Sequence, residues 1–244
     1  MANQDGWRRA GVDLFTVWGP GVRDELVGQG VAASTIAVTG APWVDRLVTR
    51  PASRSRTILV ALSGPGHAVG LAEHEGQVEA LARACAVTPH YKWVFRLHRK
   101  DDAAIYHRAF AAHPDARPEI VPSQRATGTI HDALEDTAVL ITVTSASALD
   151  AMLCGVPVLT LGRPPHESLP DFVRVGATSH VSDLGGLGVA LTALVEQGPS
   201  PTLRDAAKAY VEASFGELDG QAAARVAAQM VSLVESLKKN TLQG

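Results

Sequence analysis

A small-hydroxyl turn, Thr144–Ser147, lies between two apolar segments of this chain. Val139–Val143 before it is a short β-branched run, which is typical of a buried parallel strand. Ala148–Cys154 after it continues as a helix, and the Gly155-Val156-Pro157 sequence that comes next ends that helix. Val158–Leu161 is the next strand. The segment is therefore predicted to be strand, polar turn, helix and strand.

The turn has two interpretations. A helix start carries unsatisfied N–H groups and the positive end of the helix dipole, so Thr144, Ser145 and Ser147 are suited to hold a phosphate. Asp150 lies three residues after Ser147, within reach of the hydroxyls of a bound ribose. However, serine and threonine are also ordinary N-caps. The chain has no Walker or Rossmann motif of fixed spacing, so the turn alone leaves both interpretations open.

A second polar loop, SGPGH at positions 63–67, follows the predicted strand Thr57–Leu62. Ser63 offers a hydroxyl, and Gly64 allows a ligand to approach the backbone closely. A plain turn would have the same composition. The loop is therefore either a candidate ligand-binding loop or only a connection between two elements.

A third polar loop, His98-Arg99-Lys100, follows the predicted strand Tyr91–Leu97. His98 is suited to donate to a phosphate or leaving-group oxygen, and Arg99 and Lys100 add positive charge. The alternative is a solvated basic turn in which Asp101 or Asp102 caps the next helix. Aimed at one diphosphate together with the hydroxyl turn, these groups would contribute about 1.5–3 kcal/mol per charge-assisted hydrogen bond.

Strands and helices alternate from Thr57 onward, which predicts an α/β fold with a doubly wound parallel sheet. Ligands of such sheets bind beyond the carboxyl ends of the strands, where the three loops lie. The remaining predicted strands are Val12–Val17, Thr35–Thr39 and Ile120–Val121. The predicted helices are Val22–Gly28, Val44–Val48, Leu71–Ala86, Asp101–Ala112, Ile130–Glu135, Leu184–Glu196, Leu203–Ser214 and Gln221–Lys239, the last with Asp219 as its N-cap. A polar loop is predicted over Arg163–Asp171.

Composition excludes several classes of protein. The 244 residues have a net charge of −3 and only 5% aromatic residues, which argues against a nucleic-acid partner. No apolar run is long enough to span a membrane, and Met1–Ala10 lacks the apolar stretch of a secretory signal. Cys85 and Cys154 fall in predicted helices and suit a reducing compartment. We therefore expect a cytoplasmic protein, in solution or at the inner face of the membrane. No metal, cofactor or catalytic-nucleophile motif is visible.

Four segments carry a family resemblance. FRLHRKDD, IHDALEDTAVLITVTSASALDAMLCGVPVLTLG and FGELDGQAAARVA resemble the nucleotide-binding half of GT-B enzymes, and DLFTVWGPGVRDELVGQGVAASTIAVTGAPWVDRL resembles the crossover from their first domain. The similarity is to bacterial surface-carbohydrate transferases, including the CDP-glycerol glycerophosphotransferase and capsule transferase type. It extends to the related non-hydrolysing UDP-N-acetylglucosamine 2-epimerases.

The resemblance implies roles for individual residues. His98 matches the family histidine that contacts the nucleotide phosphate or the donor, although Arg99 stands where that motif often has proline. Ser145 and Ser147 match the hydroxyls of the phosphate turn. Asp150 matches an acidic residue, usually glutamate, that binds the ribose. The epimerases have Ser-Gly-Gly in this turn and then paired acids in the helix, so the Ser-Ala-Ser of this chain favours a transferase.

The resemblance also implies a domain organisation. Residues 1–50 would be a remnant of the first, acceptor-side domain and 51–56 a linker. Residues 57–200 would form the nucleotide-donor domain, and 201–244 would cross back toward the first domain. A complete GT-B enzyme has an entire acceptor domain, so we expect a fragment, a subunit that pairs with a separate acceptor-domain subunit, or a degenerate binding protein.

The expected function is transfer of a sugar or polyol phosphate from a nucleotide-activated donor to a cell-envelope glycan or lipid. In this hypothesis His98, Ser145 and Ser147 stabilise the leaving phosphate and Asp150 holds the ribose. An epimerase-like enzyme is a second hypothesis, and it predicts release of UDP from UDP-N-acetylglucosamine without an acceptor. A non-catalytic nucleotide-binding protein is the third, and it predicts binding without turnover.

Overall fold

The computed structural model describes residues 12–47, 55–66, 69–122, 128–162 and 171–241. The chain forms two compact units. One comprises residues 1–48 and 209–244, and the other comprises residues 49–208. The predicted linker at 51–56 lies outside the described residues except for its last two positions, and the predicted loop at 163–171 lies outside them except for Asp171.

The unit of residues 1–48 and 209–244 contains a two-stranded parallel sheet. Val17, Val31 and Ile36 form its apolar core. A second cluster is aromatic, with the Trp18 and Phe215 rings stacked at 6.0 Å between centroids. Its described elements are β1 (Phe15–Val17), α1 (Pro20–Gly28), β2 (Ile36–Val38), two 3-10 helices (Ala33–Thr35 and Pro42–Arg46), the end of α8 (Pro201–Phe215) and α9 (Ala222–Thr241).

A carboxylate distant in sequence holds the start of α9. Asp45 accepts hydrogen bonds from the backbone N–H groups of Ala222 and Ala223, at 3.0 and 2.8 Å. Asp219 was predicted to cap this helix, and that prediction is wrong. Its carboxylate instead accepts from the N–H of Gln221 before the helix and pairs with Arg225 at 2.7 Å. Sequence proximity suggested the wrong aspartate because the cap comes from 177 residues away.

The unit of residues 49–208 is built on a six-stranded parallel sheet in the order β5-β4-β3-β6-β7-β8. The prediction of a doubly wound parallel sheet is therefore confirmed. The order reverses direction between β3 and β6, which are hydrogen-bonded neighbours, so the topological switch point lies between them. The strands are β3 (Thr57–Val60), β4 (Lys92–Arg96), β5 (Pro118–Val121), β6 (Val139–Thr142), β7 (Val158–Leu161) and β8 (Ser179–Val181).

The central strands are apolar because helices cover both of their faces. All residues of β3, β6 and β7 are buried. Helix α2 packs against α3 and α7, while α4 packs against α5. Right-handed crossovers place the helices that follow β3 and β6 on opposite faces. The helices of this unit are α2 (Leu71–Val87), α3 (Ala103–Ala111), α4 (Ile130–Leu134), α5 (Ser147–Leu153), α6 (Asp171–Arg174), α7 (Leu187–Gln197) and the start of α8.

Most predicted elements are present with shifts of one to three residues, and among the described residues one α-helix, one strand and the 3-10 helix Ala33–Thr35 were missed. The missed α-helix is α6, and the missed strand is the edge strand β8, whose three residues include a histidine and form no apolar run. The first strand, predicted from Val12, begins at Phe15. Helix α3 begins at Ala103 because Asp102 caps it, accepting from the N–H of Ala104 at 2.9 Å. Cys154 follows α5 rather than lying in it.

We expect Asp45→Ala to lower the free energy of unfolding by about 0.5–2 kcal/mol, as for loss of an N-cap, because two N–H groups at the start of α9 lose their acceptor. Urea unfolding followed by circular dichroism measures the change. Asp24→Ala is the matched control, since Asp24 is exposed and pairs with its sequence neighbour Arg23 at 3.5 Å. Equal effects of the two substitutions would contradict the capping role.

Candidate functional site

Two of the three candidate loops meet at the switch point. Ser63 follows β3, Thr144 follows β6, and their hydroxyl oxygens lie 3.2 Å apart. The two strands are hydrogen-bonded neighbours that run in the same direction, so their carboxyl ends lie at one edge of the sheet. The sequence prediction that polar residues gather at this edge holds for these two residues.

The third loop, after β4, packs against the loop after β3 at Gly64. Gly64 has a φ of +69°, and a Cβ there would lie 2.9 Å from Oδ1 of Asp101. The other carboxylate oxygen of Asp101 accepts a 2.7 Å hydrogen bond from the backbone N–H of His98. One carboxylate therefore touches both loops. Gly64 is required here for its backbone conformation and for its lack of a side chain.

Hydrogen bonding fixes the tautomer of His98. Its Nδ1 accepts a hydrogen bond from the backbone N–H of Lys100 at 3.2 Å. A nitrogen that accepts cannot carry the proton, so in the neutral imidazole Nε2 carries it and is a donor. His98, Arg99 and Lys100 are exposed. The side chains of Arg99 and Lys100 form no ion pair within the described part of the chain.

The hydroxyl turn is also arranged to leave a donor available. The Oγ of Ser145 accepts from the backbone N–H of Ser147 at 3.2 Å and from its hydroxyl at 2.8 Å. Because Ser145 accepts both bonds, its own O–H proton remains to be donated elsewhere. Ser147 itself is buried at the first position of α5. It therefore orients Ser145, and a ligand at this turn would contact Ser145 first.

Asp150 has a partner in the structure. Its Oδ1 lies 3.0 Å from Nε2 of His131, in α4, and both side chains are largely buried. Burial raises the pKa of Asp150, and the neighbouring His131 partly opposes this rise. The ribose-binding role of Asp150 stays a prediction. The His131 partner was missed because it lies 19 residues away in another helix.

Beneath the loops lies a buried polar cluster that the sequence analysis did not identify. His74 Nε2 and Asp101 Oδ1 lie 3.2 Å apart, and both side chains are fully buried. Burial, with the Asp101 carboxylate as the next cause, raises the pKa of Tyr106. The available signal was the periodicity of α2, which places polar His74 and Gln77 on the same face as Val78 and Leu81.

The edge of the sheet is therefore rich in hydrogen-bond donors. The hydroxyl of Ser145, Nε2–H of His98 and the two cations beside it lie in loops that follow the adjacent strands β4, β3 and β6. Donors that have no partner in the described part of the chain are suited to an anionic, acceptor-only ligand such as a phosphate. His67, the last residue of the loop after β3, lies outside the described residues.

A second depression lies at the opposite edge of the sheet. It is a cleft of about 660 Å³ near Arg56, Ala138, Pro157 and Glu196, at the starts of β3, β6 and β7. Parallel α/β sheets bind ligands at the carboxyl ends of their strands. We therefore take the donor-rich edge as the candidate site despite the size of this cleft.

The described residues contain no group of three or more His, Cys, Asp or Glu residues placed to hold a metal ion. None of the helices described is both long and apolar enough to cross a membrane.

Solved structures similar to this chain were found. A putative UDP-N-acetylglucosamine 2-epimerase from Listeria monocytogenes matches with a TM-score of 0.64 and 20% identity, over 92% of this chain and 60% of that one. The UDP-GlcNAc 2-epimerase from Neisseria meningitidis bound to UDP-GlcNAc matches with a TM-score of 0.57 and 15% identity, over 90% of this chain and 62% of that one. The wall teichoic acid polymerase TagF matches with a TM-score of 0.58 and 14% identity, over 95% of this chain and 60% of that one.

These likenesses define a class of fold. The chain has a GT-B-type fold like that of these structures, with a Rossmann-like six-stranded domain, as the sequence resemblance predicted. The chain spans about 60% of the length of the solved structures it matches. No protein-family model matches the sequence, and no curated protein matches it.

We expect Gly64→Ala to destabilise the fold by about 1–2 kcal/mol, because alanine is strained at positive φ and its Cβ would meet Asp101. Gly66→Ala in the same loop is the control, since a Cβ there has no neighbour within 4 Å among the described residues and its φ is not positive. Urea unfolding of both variants tests this. If Gly66→Ala cost as much as Gly64→Ala, the loop contact would not be the cause.

The raised pKa of Asp150 predicts a pH dependence. The folded state holds this proton more tightly than the unfolded state, so the stability it contributes is present below about pH 4 and lost as the pH rises through the folded pKa. Asp150→Asn should therefore gain stability relative to the original protein between pH 4 and 7. The gain should be larger in a His131→Gln background, where the opposing charge is gone. A pH-independent difference in urea unfolding would contradict the burial of the charge.

Proposed function

We propose that residues 57–200 bind the nucleotide part of a nucleotide-activated sugar or polyol, as the donor side of a GT-B-type transferase. The observation that carries this proposal is the pair of donors that have no partner among the described residues, the Ser145 hydroxyl after β6 and Nε2–H of His98 after β4. The likeness to solved structures of UDP-GlcNAc 2-epimerases supports the choice of ligand.

The proposed chemistry is stabilisation of a leaving group. Transfer from a nucleotide donor leaves negative charge on the departing phosphate, and preorganised donors and cations lower the energy of that charge. Ser145 and His98 would donate to the phosphate oxygens, and Arg99 and Lys100 would add positive charge. Asp101 and Ser147 act through the groups they orient. Asp150 would accept hydrogen bonds from the ribose hydroxyls. Its carboxylate has acceptor positions for them besides the one that faces His131.

The acceptor side of the reaction needs further residues, and we propose that a separate acceptor-domain subunit or another part of a longer chain supplies them. The acceptor would be a cell-envelope glycan or lipid. The solved structure of a wall teichoic acid polymerase among the matches supports this class of acceptor.

A 2-epimerase-like activity is the second candidate, because several of the matching structures are UDP-GlcNAc 2-epimerases. Both candidates share the nucleotide-binding step and differ in the fate of the bound sugar. Incubation with UDP-N-acetylglucosamine and no acceptor, monitored by NMR, separates them. Conversion of the sugar or release of UDP supports the epimerase, whereas unchanged substrate leaves the transferase and a binding protein without turnover.

We expect UDP or another nucleoside diphosphate to bind the purified chain and the matching nucleoside to bind at least about tenfold more weakly, since the phosphate supplies about 1.5–3 kcal/mol per charge-assisted hydrogen bond. Calorimetry with UDP, CDP, GDP and dTDP and their nucleosides measures this. Ser145→Ala should weaken diphosphate binding by about 10- to 100-fold and leave nucleoside binding unchanged.

Ser236→Ala is the matched control, because this exposed serine donates to the carbonyl of Leu233 within α9. Absence of nucleotide binding in a chain that unfolds cooperatively would contradict the proposal. Equal losses of nucleoside and diphosphate affinity in Ser145→Ala would remove the phosphate role from the turn.

A further inference from the structure

Another cleft opens at the same edge of the sheet as the candidate site, beyond the carboxyl ends of β7 and β8. Its volume is about 460 Å³. Gly162 follows β7, Ser182 and Asp183 follow β8, and the first two turns of α2 form the other wall. We call this space the Gln77 cleft, after the α2 residue that lines it. None of the lining residues that the structure describes belongs to the three loops at the candidate site.

Gln77 is the unusual residue of this cleft. Its side chain is only 1% exposed, yet neither its amide nitrogen nor its amide oxygen has a hydrogen-bond partner among the described residues. A buried amide without partners costs free energy, and most buried polar groups in proteins are satisfied. Gln77 is among the residues that line the cleft, so we take its buried amide as the group that a ligand there would satisfy, by accepting from Nε2 and donating to Oε1.

The other polar groups of the cleft define the chemistry of that ligand. Glu73 and Asp183 place two carboxylates on the wall, and the described lining residues include no lysine or arginine. Asp183 uses one oxygen to accept from the N–H of Gly185 and keeps further acceptor positions. Carboxylates repel a phosphate and accept hydrogen bonds from hydroxyl groups. A group that offers several hydroxyls fits both the carboxylates and the amide.

We propose that the Gln77 cleft binds a polyhydroxylated group, the sugar or polyol part of the nucleotide donor. The identity of the carrier rests on the proposed function, whereas the preference for hydroxyl groups rests on the cleft alone. β7 is the hydrogen-bonded neighbour of β6, and adjacent strands lie about 4.8 Å apart. A group attached to a phosphate at Ser145 therefore has one strand width to cross before it reaches the end of β7.

The side-chain amide of Gln77 gives a direct NMR signal for the test. The ¹H–¹⁵N pair is assigned by its disappearance in Gln77→Met, which keeps the side-chain volume and removes the unpartnered polar atoms. Gln29 is the internal reference, since it is in another part of the fold and donates to Glu25 at 3.1 Å. UDP-glucose, UDP, free glucose and inorganic phosphate are added in turn. We expect UDP-glucose to shift the Gln77 signal, and UDP and phosphate to leave it in place.

Affinity provides the second readout. UDP-glucose should bind at least tenfold more tightly than UDP to the original protein, and this ratio should fall to about one in Gln77→Met while UDP affinity is kept. The variant should be at least as stable as the original, because it loses an unsatisfied buried amide. Gly76→Leu adds a second variant, since a Cβ at this exposed cleft position meets no described residue within 4 Å and leucine favours the helix. Its larger side chain should block the sugar and leave UDP binding intact.

The outcomes separate this inference from the proposed function. If UDP binds but the sugar moves neither the Gln77 signal nor the affinity, the inference is overturned and nucleotide binding stands. If no nucleotide binds but free glucose shifts the Gln77 signal, the cleft binds a free sugar and the nucleotide proposal fails. A Gln77 shift caused by inorganic phosphate would overturn the preference for hydroxyls. No response to any ligand overturns both proposals.

Discussion

The buried carboxylate of Asp101 is the contact on which the candidate site depends. One oxygen lies against Gly64 and near His74, and the other accepts from the backbone of His98. The loops after β3 and β4 are thereby held in one arrangement, and the Ser63–Thr144 contact joins the loop after β6 to them. Burying a carboxylate costs free energy unless neighbouring groups compensate its charge. Asp101 therefore depends on the loops for its partners, and the loops depend on Asp101 for their arrangement.

The carboxyl-end edge of the sheet has two parts that differ in the hydrogen-bonding groups they offer. The loops over β4, β3 and β6 expose donors and positive charge, because Ser145 and His98 use their acceptor atoms inside the protein. The cleft over β7 and β8 is lined by carboxylates and by Gln77, whose buried amide has no partner among the described residues. A molecule with a phosphate at one end and hydroxyls at the other matches this division. The two proposals therefore describe neighbouring parts of one elongated ligand.

Much of the fold was predictable because periodicity and turn residues determine it locally. The apolar runs of β3, β6 and β7 and the cap at Asp102 follow from neighbouring residues, and the polar loops follow from where those runs end. The failures involve interactions across long stretches of sequence. Asp45, and not Asp219, caps α9, and the contact between Asp150 and His131 was not predicted. No local pattern specifies such partners.

The position of the site edge was predictable, whereas its pattern of hydrogen bonds was not. Strand order decides which loops are neighbours, and alternation of strands and helices does not fix that order. The tautomer of His98 and the available proton of Ser145 depend on hydrogen bonds of 3.2 and 2.8 Å within turns, which residue types alone do not give. The unpartnered amide of Gln77 was not predictable for the same reason. Its burial without a partner among the described residues results from packing.

Amide hydrogen exchange with and without UDP tests the central claim most directly, because it locates the ligand without a substitution. The account predicts slowed exchange in the segments 63–66, 98–101 and 144–147, which follow β3, β4 and β6, and little change at the opposite edge of the sheet. Slowed exchange confined to the starts of the strands, near Arg56 and Ala138, would contradict it.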